Sequence, residues 1–220
     1  MKQIPSDKYS LAWFTLAECV SRGEKVRALS LYRLLAHSIE DSAFTVQLKG
    51  DILLAFKDDQ AVDLYQEAAD LYSSQERFLE AVGVYEHLLF LDPTQQRYIR
   101  RLIKLYKKLD IQFKVISHLY SLYDLVSCDA QVDKLCEVVE LFEQNQVRAK
   151  DSLKAYQDFV FFLLEQKAPD YEVLLKYAQK VVDCLLESKN KKALQKYLSR
   201  VESLDNDLHL QLCEYLVNES

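Results

Sequence analysis

The chain has 220 residues, half of them apolar and 28% charged, with three Gly and three Pro. That composition excludes a disordered chain, and so few Gly and Pro leave little material for the tight turns of a hairpin-rich β fold. The net charge of -6 argues against the basic face that binds nucleic acid through its phosphates.

Apolar residues recur at helical spacing through nearly the whole chain. Polar breaks cut the pattern into about twelve helices, expected near residues 7–21, 24–40, 42–56, 59–73, 76–91, 95–108, 111–126, 129–144, 149–166, 170–187, 189–203 and 205–218. Ahead of the first lies Met1–Asp7, with no apolar run like that of a signal peptide. The first helix carries Trp13 and Phe14 side by side, which cannot both face one core strip. Exposure of one would make it a partner-binding anchor; burial of both under the third helix is the expectation. Gly23 suits a left-handed cap between the first two helices, and Asp58, Asp59 and Asp205 are natural N-caps. Asp92-Pro93-Thr94 stops one helix and starts another. Phe159–Leu164 is apolar all round its helix and far too short for a membrane span. Such a helix is either central or part of an interface such as a homodimer; central burial is the expectation.

Short connections make consecutive helices antiparallel neighbours, and a repeat period separates a solenoid from a bundle. The period is clearest over residues 62–95. Tyr65, Ala68, Ala69 and Tyr72 line one face of a first helix; Phe78, Ala81, Tyr85 and Leu88 line one face of a second, which Pro93 closes. This unit resembles the tetratricopeptide repeat, in which helix A carries a bulky residue, a small residue and a Tyr, and helix B a small residue, an aromatic and a Pro. It departs from that pattern with Ala69 for a Gly, Glu76 for the turn Gly and Leu88 for an Ala. The helix-A pattern returns as Ile99, Leu102, Ile103 and Tyr106, then as Leu135, Val138, Val139 and Phe142, and more weakly as Leu174, Tyr177, Ala178 and Val181. Gly23, Ala28, Tyr32 and Leu35 look like part of another unit, as do Lys49-Gly50-Asp51 with Ala61, Tyr65 and Ala68. The helix at 59–73 therefore fits both helix B of one unit and helix A of the next, and strict alternation forbids both. Assigning it as helix A leaves an irregular part at 7–56, helix pairs over 59–203 and a capping helix at 205–218, all in one domain of residues 1–220. The resemblance implies an all-α fold, antiparallel helix pairs stacked as a right-handed superhelical solenoid.

In that family the A helices line a groove that grips a partner peptide. The positions between the packing residues are acidic in one unit (Asp63, Glu67, Asp70), basic in the next (Arg97, Arg101, Lys104) and acidic in the third (Asp133, Glu137, Glu140). Each triplet keeps a spacing of four then three, hence one helix face. Arg100, Lys107 and Lys108 widen the basic band. One reading is a charged groove for an acidic peptide or a C-terminal carboxylate. The other is that neighbouring A helices pair their charges and fix repeat register. The two are compatible. The family's chaperone-tail clamp needs Lys and Asn where Trp13 and Ala17 stand, so it is not carried over.

Nothing resembles a catalytic centre. Cys19, Cys128, Cys136, Cys184 and Cys213 form no close pairs, and His37, His87, His118 and His209 lie on separate helices without ligand spacing. No Gly-rich phosphate loop or nucleophile elbow is present. The expectation is a non-enzymatic scaffold or adaptor that needs no cofactor, binds no nucleic acid, spans no membrane, resides in the cytoplasm and holds a protein or peptide on the helix-A face. The alternative is a dedicated chaperone or a subunit of a stable complex.

Overall fold

The computed structural model describes residues 7–128, 131–166 and 170–219. The stretch before Asp7 and the expected helix start at residue 129 lie outside them. Twelve helices occur among the described residues: α1 (Asp7–Ser21), α2 (Lys25–Ala36), α3 (Ser42–Ala55), α4 (Gln60–Ser74), α5 (Phe78–Leu91), α6 (Gln96–Lys108), α7 (Gln112–Ser127), α8 (Val132–Gln144), α9 (Ala149–Glu165), α10 (Tyr171–Glu187), α11 (Lys191–Leu204) and α12 (Asn206–Glu219). One end differs from the sequence reading: α2 stops at Ala36 rather than near residue 40. There the Ser38 backbone N–H and hydroxyl both donate to the Leu35 carbonyl, ending the helix, and the Asp41 carboxylate accepts from the Phe44 N–H to start α3.

The contacts divide the chain into two units, Met1–Asp110 with α1–α6 and Ile111–Ser220 with α7–α12. In the first, each helix packs against the next. Leu16, Cys19, Ala28, Leu35 and Ile52 form a core among α1, α2 and α3. Further along, Ala61, Ala68, Ala69 and Ala81 are fully buried where helices cross, with Tyr65, Tyr72 and Tyr85 beside them. Small residues let the backbones approach, and the tyrosine rings fill the gaps left at the sides. In the second unit Phe142, Phe159, Leu163, Tyr177 and Leu185 are buried. Phe159, Val160 and Leu163 face the core of this unit, while Phe161, Phe162 and Leu164 are half-buried. Phe161 meets the edge of Tyr197 and carries the Arg200 guanidinium 3.8 Å above its ring. The run is thus spent inside the unit. α12 folds back on α10, where Tyr215 donates to Asp183 at 3.0 Å.

Among the described residues, five helices share one kind of end. The N–H two residues past the last turn closes a wide loop onto Cys19, Leu53, Tyr72, Phe142 or Leu185, and the residue before it is left-handed. These are Schellman ends, on α1, α3, α4, α8 and α10. Gly23 fills the left-handed position at φ 76°; elsewhere it is held by Lys57, Glu76, Gln146 and Lys189.

Helix α4 makes bonds that match both roles weighed for the 59–73 helix. As a second helix, α4 donates from Tyr65 to Asp51 of α3 at 2.7 Å; in the next pair α5 donates from Tyr85 to Asp70 of α4 at 2.8 Å. In each case the acceptor follows a small residue, Gly50 or Ala69. As a first helix, α4 reaches back from Tyr72 to Gln47 of α3, as α6 reaches back from Tyr106 to Glu86 of α5. Gly50 is needed for this packing: a Cβ there would lie 3.2 Å from the Tyr65 ring.

Candidate functional site

The charged face of the first unit is built by α4 and α6. On α6 the buried residues Tyr98, Ile99, Leu102, Ile103, Leu105 and Tyr106 take one side of the helix. The opposite side holds Arg97, Arg100, Arg101, Lys104, Lys107 and Lys108, and the helix has no carboxylate of its own. Arg100 is half-buried and the other five are exposed. Arg97, Arg101, Lys104 and Lys108 follow a spacing of four, three and four, so they run in a row along one helix face. On α4, Asp63, Glu67 and Asp70 are all exposed on the side opposite Tyr65 and Tyr72.

Two contacts set α4 beside α6. Gln66 donates from its amide to the Tyr98 hydroxyl at 3.1 Å, and Arg101 lies 3.7 Å from Asp70. The same Asp70 oxygen accepts the Tyr85 hydroxyl. Burial, then the bond to Asp70, pushes the Tyr85 phenol up to about 12. Asp70 is therefore held by the fold as well as facing solvent. Lys108 sits 4.6 Å above the Phe78 ring, which anchors that end of the row to α5. Among the described residues, no ion pair within 4 Å involves Arg97 or Lys104. The acidic triplet of α8 belongs to the second unit, with Asp133 and Glu137 exposed and Glu140 half-buried.

The second unit has a related arrangement that the sequence reading missed. Glu143 of α8 lies 3.2 Å from Lys180 and 4.0 Å from Lys176 of α10. Lys176 also sits 4.9 Å above the ring of Tyr177, whose phenol is pushed up by burial and then by the Glu143 charge. Lys176 follows Leu174 by two residues, as Arg101 follows Ile99. That matched position was the available signal.

The helix pairs, the small residues at their crossings, the left-handed turns and the recurring tyrosine-to-carboxylate bond decide the fold. It is a tetratricopeptide-like helical repeat. No family model matches the chain, and no curated protein matches it. The solved structures it matches include TPR-like repeat proteins that are 10–16% identical to it. A putative kinesin light chain from Podosopora anserina with nearly identical TPR-like repeats is 10% identical, with 91% of this chain and 96% of that one covered, at a TM-score of 0.42. MamA from Desulfovibrio magneticus RS-1 is 16% identical, with 92% and 97% covered, at a TM-score of 0.32. Naa15/Naa10 bound to HypK-THB is 16% identical, with 97% of this chain and 37% of that one covered, at a TM-score of 0.28.

One aromatic of the tetratricopeptide-like array departs from expectation. Trp13 and Phe14 are not both buried: Phe14 is 76% exposed, and Trp13 is half-buried. Neighbours on a helix point about 100° apart, so α3 covers one and leaves the other. Trp13 lines a surface groove of about 370 Å³ with Leu16, Ala17, Val20, Leu48 and Ile52. His87 packs edge-on against Tyr65 at 5.0 Å, and all five cysteines are thiols, with Cys19 and Cys184 buried. Among the described residues no three His, Cys, Asp or Glu are grouped to hold a metal ion, and no helix is long and apolar enough to cross a membrane.

Proposed function

We propose that this chain is a protein-interaction module that grips a partner segment on the helix-A face of its first unit. The observation that carries the reading is α6: thirteen residues with six cations, no carboxylate and five of those cations exposed. Among the described residues Arg97 and Lys104 enter no ion pair within 4 Å, and the Asp70 that meets Arg101 is shared with the Tyr85 hydroxyl. An exposed pair such as Arg101 with Asp70 contributes only about 0–1 kcal/mol, so it gives way readily to a ligand carboxylate. Carboxylates on the partner would take Arg97, Arg101 and Lys104.

A second reading, a subunit of a stable complex, is favoured by α12. Its outer face exposes Leu210 and Val217, which line a shallow groove of about 450 Å³ with Cys213, Glu214 and Asn218. One experiment separates the two. The chain is used as bait, with an Arg97→Glu/Lys104→Glu variant and a Leu210→Asp/Val217→Asp variant beside it. The first reading expects the α6 variant to lose its partner while its helical circular dichroism stays unchanged. Loss only in the α12 variant would transfer the function to the complex-forming face, and unfolding of the α6 variant would show that its charges serve the fold.

A further inference from the structure

The helix-A face of the first unit is not uniformly basic, and this constrains what it can hold. α4 and α6 lie side by side through the Gln66–Tyr98 bond and the Asp70–Arg101 pair. On one side of that seam Asp63 and Glu67 are exposed, and on the other Arg97, Arg101 and Lys104. We infer that the segment held here is charge-segregated, with a basic cluster seated over α4 and an acidic cluster seated over α6. The inference rests on the reading of this face as the partner-binding surface and narrows the partner's chemistry.

The argument is one of signs and spacing. A uniformly acidic segment crossing both helices gains over α6 and is repelled over α4 by Asp63 and Glu67. A uniformly basic one meets the reverse. Like charges brought together across an interface are disfavoured strongly enough to reject wrong partners. A segment whose own charges change sign at the seam satisfies both helices at once. Closely packed helix axes lie about 10 Å apart, α4 and α6 meet through long side chains, and an extended chain rises about 3.3 Å per residue. The basic and acidic clusters of the partner should therefore be separated by about three residues or more. Half-buried Gln66, held by the buried Tyr98 hydroxyl, is the uncharged group at the seam, where neutral residues of the segment would lie.

The test is a selection from a display library of random twelve-residue peptides against the whole chain. The expected pool carries a basic and an acidic cluster about three or more residues apart. An Asp63→Lys/Glu67→Lys variant, shown to keep its helical circular dichroism, should bind the selected peptides about tenfold more weakly and enrich uniformly acidic ones instead. A uniformly acidic pool from the unmodified chain would overturn the inference and leave the acidic-partner reading standing. A pool without acidic residues, or one indifferent to Arg97→Glu/Lys104→Glu, would overturn both.

Discussion

Lys57, Glu76, Gln146 and Lys189 adopt φ of 55°, 60°, 52° and 52°, which L residues with a side chain reach at a cost. They hold it because the Schellman bonds and the packing of the following helix determine the turn. Only Gly23 among the five has the residue type the geometry favours. Lys57 is exposed and joins the turn through its backbone N–H to the Leu54 carbonyl, so its side chain is dispensable there. Lys57→Gly removes a left-handed penalty of about 1–2 kcal/mol, offset by roughly 0.5–1 kcal/mol of added chain entropy when unfolded. The expected result is a melting temperature raised by roughly 2–4 °C, with Gly23→Ala lowering it by a similar amount. Thermal denaturation followed by circular dichroism measures both. A lower melting temperature for Lys57→Gly would mean that its side chain supports the turn.

At the scale of single elements, two aspartates test how much a helix start contributes. Asp170 caps α10 by accepting from the Glu172 and Val173 N–H groups. Asp41 caps α3 and also accepts from Arg77 at 2.6 Å, which ties α3 to the turn before α5. Burial works against the Asp41 charge, but the Phe44 N–H and the Arg77 guanidinium outweigh it and hold the carboxyl below its usual range. Arg77 in turn lies 4.5 Å above the Tyr72 ring. Asp170→Ala should cost about 1 kcal/mol, and Asp41→Ala roughly 1–2 kcal/mol, with the half-exposed ion pair contributing at most about 1 kcal/mol. Urea denaturation of both variants, with Arg77→Ala and the double variant Asp41→Ala/Arg77→Ala, gives the coupling directly. Additive losses would show that the cap alone matters. The helices themselves were legible because apolar periodicity and break residues agree along the chain, as Asp205 shows by accepting from the Leu208 N–H where a cap was expected. The double role of α4 was visible as a conflict and could not be resolved, because it depends on which acceptors Tyr65 and Tyr72 reach across space. The matched position of Lys176 hinted at a cation there, but not at its pairing: Lys180 and Glu143, 37 positions apart, meet only once α8 and α10 are in place.

The two units, Met1–Asp110 and Ile111–Ser220, set the question at the scale of the molecule. Repeat arrays derive stability from each repeat and its nearest neighbours, so a half with its own buried core can fold alone. The first unit has one in Leu16, Ile52, Tyr65, Ala69, Tyr85 and Leu102, and the second in Leu122, Phe142, Phe159, Tyr177, Leu185 and Leu212. Each unit spans 110 residues. That is well above the roughly 40 residues below which a core needs disulfides, metals or partners to hold it. Cleaving the gene between Asp110 and Ile111 should therefore give two fragments that are each helical and melt cooperatively. The first fragment should keep the α4–α6 face and with it the peptides selected by the whole chain. A cooperative first fragment that no longer holds them would place part of the binding surface beyond α6. An unfolded fragment would show that its core, though buried, is not sufficient.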